Sequence, residues 1–94
     1  MIVRVVKMQF NINFIEEFKT IFNTVKALIA GFDGCSEVKL LQHETEPTIF
    51  FTISKWQNAE ALEKYRKADL FTETWAKVKP NFASKAEAWS LIEQ

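Results

Sequence analysis

Chemically versatile side chains are scarce in this 94-residue chain, which holds one cysteine, one histidine and one tyrosine. A lone cysteine excludes an internal disulfide, and Cys35 with His43 is too small a donor set for a structural zinc site, so no metal is expected. Nor can those two work as nucleophile and base. They stand eight residues apart on one expected strand, roughly 26 Å if extended. Glycine and proline are equally sparse, at two each, which argues against disorder and long linkers. An excess of one charge is also missing. Twelve Lys and Arg balance twelve Asp and Glu, so no basic field exists to hold a phosphate backbone, and nucleic acid is not an expected partner. Long apolar runs are absent as well. The opening MIVRVVKMQF is broken by Arg4 and Lys7 before a signal-peptide core of ~7 to 15 residues can form, and nothing approaches the ~18 residues of a membrane span. No membrane association is expected, and a reducing cytoplasm is the natural compartment for a chain with one free thiol.

What the chain does have is apolar surface: 48% hydrophobic residues, including nine Phe and three Trp. That supply suits one compact domain over residues 1–94. Residues 2 to 10 read as a strand that is apolar in both phases, with Ile2, Val6, Met8 and Phe10 on one side and Val3 and Val5 on the other. From Asn13 the period changes. Phe14, Ile15, Phe18, Ile21, Phe22, Val25, Leu28 and Ile29 recur every three or four residues, the stripe of an amphipathic helix. Asn13 with Glu16 resembles a capping box, and Gly31 suits a left-handed helix end. Cys35 to His43 and Ile49 to Lys55 read as a hairpin around the HETEPT turn. Asn58 then caps a helix bearing Leu62 and Tyr65. Asp69 is placed to cap a short turn carrying Phe71, Trp75 and Val78, which Pro80 stops. The closing KAEAWSLIEQ is assigned as a strand.

The order is therefore β-α-β-β-α-β, an α+β class chain with a ferredoxin-like antiparallel sheet and both helices on one face. Ile49, Phe51 and Ile53 share one face of the third strand, whereas Phe50, Thr52, Ser54 and Trp56 share the other. A chain this short has no third layer, so one apolar face is left without cover. A homodimer meeting sheet to sheet would solve that, with Phe50, Trp56 and one phase of the first strand among the residues needing shelter, over at least ~2,000 Å².

The order of elements, the GFDGC turn and above all FFTISKWQNAEALEKYRKADLF resemble the antibiotic biosynthesis monooxygenase (ABM) family, which includes the quinol monooxygenases. The resemblance covers essentially the whole chain. It implies a dimeric α+β barrel with a pocket between sheet and helices in each protomer. It also implies, for some members, oxidation of quinol or phenolic substrates by molecular oxygen with no metal or flavin, hence no cofactor. Two departures matter. Many relatives place a histidine about nine residues after the tryptophan, where this chain has Tyr65 followed by Arg66. The haem-degrading branch adds an asparagine on the first strand, and here Lys7 stands near that place.

A cofactor-free oxygenase needs an apolar cavity, a base for the substrate hydroxyl and donors for the resulting anion. Phe50, Trp56, Phe71 and Trp75 are the candidate walls, set against plain core or dimer packing. His43, Tyr65 and Lys7 are the candidate catalytic groups. Against these roles, His43 precedes a polar turn where a histidine is ordinarily exposed, and Lys7 and Arg4 can snorkel to solvent unless they meet a carboxylate or a bound anion. Arg66 and Lys67 with Glu63 and Asp69 read as a solvated helix face. Two functions follow: a monooxygenase acting on a quinol or other aromatic hydroxyl compound, or a non-catalytic module of the same barrel that binds a small aromatic or apolar ligand. An isomerase or a degradative enzyme for a signalling metabolite is a third. Trp56 is expected to close the core with one edge and meet the pocket with the other.

Overall fold

The computed structural model describes residues 1–94. The chain runs β1 (Ile2–Gln9), α1 (Ile15–Ala30), β2 (Cys35–Gln42), β3 (Ile49–Trp56), α2 (Ala59–Lys67), α3 (Asp69–Val78) and β4 (Glu87–Ile92), with single 3-10 turns before α1 and after α3. One antiparallel sheet has the order β2-β3-β1-β4. This is the expected ferredoxin-like α+β fold, with α2 and α3 as two consecutive helices where one helix and a short turn were anticipated.

Register divides the sheet into two faces. Ile2, Arg4, Val6 and Met8 of β1 stand opposite Trp56, Ser54, Thr52 and Phe50 of β3, while Val3, Val5, Lys7 and Gln9 stand opposite Lys55, Ile53, Phe51 and Ile49. The first set lies under the helices. Met8, Phe50, Ser54 and Trp56 are buried there, together with Phe14, Ile15, Phe18, Phe22 and Ile29 of the α1 stripe. Phe10, sealed at 0% exposure, is the hub at one end, with ring centroids 4.3 Å from Phe18, 5.3 Å from Phe82 and 6.0 Å from Phe50. Leu28, assigned to the stripe, is exposed because it falls at its flank.

The second set faces outward without a covering layer. Leu41, Trp89 and Leu91 join Val5, Phe51 and Ile53 on this side, and those three are among the most exposed large apolar residues of the chain. Two apolar faces were expected, but their assignment is corrected: Phe50 and Trp56 lie beneath the helices rather than on the open face. Phe50 and Trp56, near the two ends of β3, are buried beneath the helices, and the open face carries both aromatic and aliphatic residues with a polar edge. At that edge Glu37 accepts from Lys39 at 3.1 Å and Lys55 at 3.2 Å, and the two ammonium groups hold its carboxyl below the usual range.

Three local details also differ from expectation. Asn13 sits inside the 3-10 turn, and α1 starts after Phe14 with no side-chain cap. Asp69 is the first residue of α3, whose cap position is Ala68. Asn58 does cap α2, accepting from the Ala61 amide at 2.9 Å. Gly31 ends α1 in a right-handed conformation, and the positive φ, 86°, belongs to Gly34.

Gly34 is also where a side chain has no room, since a Cβ there would stand 2.5 Å from the Ala61 Cβ, whereas at Gly31 the nearest atom is the Ala27 carbonyl oxygen at 3.3 Å. Gly34→Ala is expected to cost about 2 kcal/mol or more in urea unfolding, and Gly31→Ala to change stability by less than about 1 kcal/mol. Equal effects would show that the turn before β2 is not held as described.

Candidate functional site

A cavity of about 320 Å³ lies between the helix-facing side of the sheet and the helices. Arg4, Val6 and Met8 of β1 and Thr52 and Ser54 of β3 form its floor. Phe22, Leu62, Tyr65, Phe71 and Trp75 come from the helices, Ala86 from the approach to β4 and Ala88 from β4 itself. Fourteen of its twenty lining residues are hydrophobic, the usual make-up of a small-molecule site. Its polar residues are few: Arg4, Thr52, Ser54, Arg66, Thr74 and Glu87, with the Tyr65 phenol.

Of the expected wall residues, Phe71 and Trp75 line the cavity, stacked at 5.7 Å and 12°. Helical spacing brings this about, because positions four apart on α3 share a face. Phe50 and Trp56 do not line it. Phe50 is sealed against Phe10 and Phe18. Trp56, at 0% exposure, is closed in behind Tyr65, its ring stacked on the phenol at 4.8 Å and 26° and its other neighbour Phe32 at 6.3 Å. The indole Nε1–H donates to Ser54 Oγ at 2.9 Å, so the one polar atom of the ring is satisfied inside the core. The expected double role thus becomes a core role: Trp56 braces Tyr65, and Tyr65 meets the cavity.

The three candidate catalytic groups are not brought together. His43 lies just past β2 in the exposed turn, where its Nδ1 accepts from the amides of Thr45 at 3.2 Å and Glu46 at 3.0 Å, the bonds of a turn cap. Lys7 stands opposite Phe51 on the outer face, with the sheet between it and the cavity. Tyr65 alone is present. Its hydroxyl has no hydrogen-bond partner within the chain and is not sealed, and the residue lines the cavity. Burial, and secondarily the charge of a Cys35 thiolate, push the Tyr65 phenol up to about 12. At neutral pH it is therefore a hydrogen-bond donor and not a base. Cys35 donates weakly to the Glu37 carbonyl at 3.6 Å, and burial raises its thiol, which makes a thiolate nucleophile unfavourable.

Two lining residues were not among the candidate site residues: Arg4 was expected to snorkel to solvent unless it met a carboxylate or a bound anion, and Arg66 was read as part of a solvated helix face. Arg4 donates to Ser90 Oγ of β4 at 2.9 Å, and Arg66 pairs with Glu63 at 3.3 Å. For Arg4 the signal was available, since strand alternation puts it in phase with Val6 and Met8. For Arg66 it was not, because the cavity depends on how α2 leans over the sheet.

Two ferredoxin-like layers enclosing an apolar cavity are common to many proteins, but the sequence pattern is narrower. A family model described as antibiotic biosynthesis monooxygenase matches residues 1–77. The chain belongs to that family. Among solved structures, a crystal structure of an antibiotic biosynthesis monooxygenase superposes with a TM-score of 0.94 at 13% identity, covering 100% of this chain and 99% of that one. A conserved protein from Methanosarcina mazei Go1 gives 0.91 at 19% identity, covering 100% and 94%. At such identities the likeness is one of fold. A candidate heme-binding protein of Natronomonas pharaonis is 34% identical over 59 residues, 63% of this chain, and the chain spans about a tenth of the length of that curated relative.

With a single tyrosine in the chain, the ultraviolet absorbance of tyrosinate reports Tyr65 directly. Its midpoint is expected near 12, against 10.0 for the ordinary phenol. The folded state favours the protonated form, so this contribution to stability is complete below pH 10 and is lost as the pH rises from there through about 12. A midpoint at the ordinary value would place the ring in solvent.

Proposed function

We propose that this ABM protein is a cofactor-independent monooxygenase for a quinol or other small aromatic hydroxyl compound, bound in the cavity beneath α2 and α3. The observation that carries the reading is a largely apolar cavity whose lining includes a few hydrogen-bond donors, among them Tyr65 and the guanidinium residues Arg4 and Arg66. An aromatic ring fits among Phe71, Trp75 and Leu62, and its hydroxyl faces the donors. A neighbouring guanidinium lowers the pKa of such a hydroxyl, so that its proton can pass to water without a dedicated base, and Tyr65 donates to the oxyanion that remains. The electron-rich anion then reduces dioxygen. One oxygen atom is retained by the substrate, the other leaves as water, and the substrate supplies the electrons.

A second reading, a binding module without catalysis, draws on the separation of His43 and Lys7 from the cavity and on the protonated state of Tyr65. Heme does not fit the donors found here. The only histidine and the only cysteine lie outside the cavity, and the raised Tyr65 phenol opposes a tyrosinate ligand.

The outer sheet face belongs to the same proposal. Its apolar strip, flanked by the charged Lys39–Glu37–Lys55 cluster, has the apolar centre and polar rim of an interface, and a second copy of the chain is the proposed cover. Light scattering is expected to give twice 10.9 kDa, falling to the monomer mass for Phe51→Asp. A wild-type monomer at working concentration would overturn the sheet-to-sheet assembly.

Oxygen uptake with a panel of quinols and polyphenols, corrected with heat-denatured protein, tests the chemistry. Saturable uptake that falls about tenfold or more in Tyr65→Phe is expected, the loss of one oxyanion donor. Binding without uptake across the panel would favour the module.

A further inference from the structure

Arg4 is the least explained charge in the chain. It sits on a central strand between apolar neighbours, lines the cavity, and has no carboxylate within ion-pair distance; its one side-chain partner is the neutral Ser90 hydroxyl at 2.9 Å. A guanidinium carries five N–H donors, so most of those on Arg4 have no partner in the chain. Arg66 reaches the same cavity from α2, and only its Nη1 is engaged, by Glu63 at 3.3 Å. Two cations thus converge on one cavity and share one acidic neighbour, Glu63. Glu87 also borders the cavity, but its register opposite Lys7 directs its carboxylate to the outer face of the sheet.

Like charges gathered at an apolar cavity are costly unless an anion joins them. The guanidinium of Arg4 is held below its ordinary range, first by burial and next by Arg66, while Glu63 acts weakly the other way. Guanidinium groups bind carboxylates through paired, charge-assisted hydrogen bonds, whereas a neutral hydroxyl needs only one donor. Tyr65 is already available for a hydroxyl. A second anionic group on the ligand is what the two arginines add.

We propose that the cavity selects an aromatic ligand bearing a carboxylate, its ring between Leu62, Phe71 and Trp75 and its carboxylate held between Arg4 of β1 and Arg66 of α2. The inference rests on the reading of the cavity as a ligand pocket and narrows its ligand class. Aromatic hydroxy acids are then better ligands than neutral quinols of the same size.

Two probes of nearly equal shape test this: 1-naphthoate and its neutral counterpart 1-naphthamide, titrated into the full chain by calorimetry at neutral pH and low salt. The carboxylate is expected to bind about tenfold tighter or more, a preference that weakens with added salt. Arg66→Gln, at an exposed helix position that leaves the fold intact by circular dichroism, should reduce that preference several-fold. Arg4→Gln should abolish it, Arg4→Lys should keep part of it, and Lys26→Gln on the exposed side of α1 should leave it unchanged. Equal affinity for the two probes would overturn the carboxylate site while leaving the ligand pocket standing. Failure of both probes to bind would overturn the pocket itself and the inference with it.

Discussion

In a pleated strand consecutive side chains leave opposite faces, and in this protein that alternation on β1 and β3 governs everything else. Even-numbered residues of both strands point under the helices and odd-numbered ones point away. The same rule therefore buries Phe50 and Trp56, admits Arg4 to the cavity and keeps Lys7 out of it. A slip of one residue would exchange the two sets and place Lys55 and Lys7 in the core. The buried bond from the Trp56 indole to Ser54, two residues earlier on the same face, pairs two polar groups beneath the helices at the end of β3.

From Trp56 a continuous series of aromatic contacts runs across the helices. Tyr65 stacks on Trp56, meets Phe71 edge-on at 5.3 Å, and Phe71 leads through Trp75 to Phe82 and back to Phe10 on the sheet. Aromatic rings suit this work because they cover large areas with few rotatable bonds. The cavity lies where the series bridges between the two ends of the sheet, so its apolar walls and the packing of α2 and α3 are one feature. Membership of the ABM family accords with such a scaffold.

Much of the fold was legible because it depends on local periodicity. The α1 stripe, the hairpin around the polar turn, the Asn58 cap and the closing strand each follow from residues within a few positions of one another. Errors came where local rules admit several solutions. Asn13 and Gly31 are plausible caps by residue type, yet the chain enters α1 through a 3-10 turn, and the required positive φ falls at Gly34, where Ala61 leaves no space for a side chain. The candidate site was less legible. His43 attracts attention as the only histidine, but its ring caps its own turn. Lys7 could have been separated from Trp56 by counting alternation through the strand pair, provided the register were known.

The amino-acid sequence by itself determined the element order, the presence of two apolar sheet faces and the poverty of metal-binding and nucleophilic groups, because composition and short-range periodicity contain all three. Only the tertiary structure decided which face the helices cover, that Trp56 is sealed behind Tyr65, and that Arg4 and Arg66, 62 positions apart, share one cavity. Those outcomes rest on strand register and on the lean of α2 and α3 over the sheet. Both are set by contacts between residues distant in the chain, which no local pattern encodes.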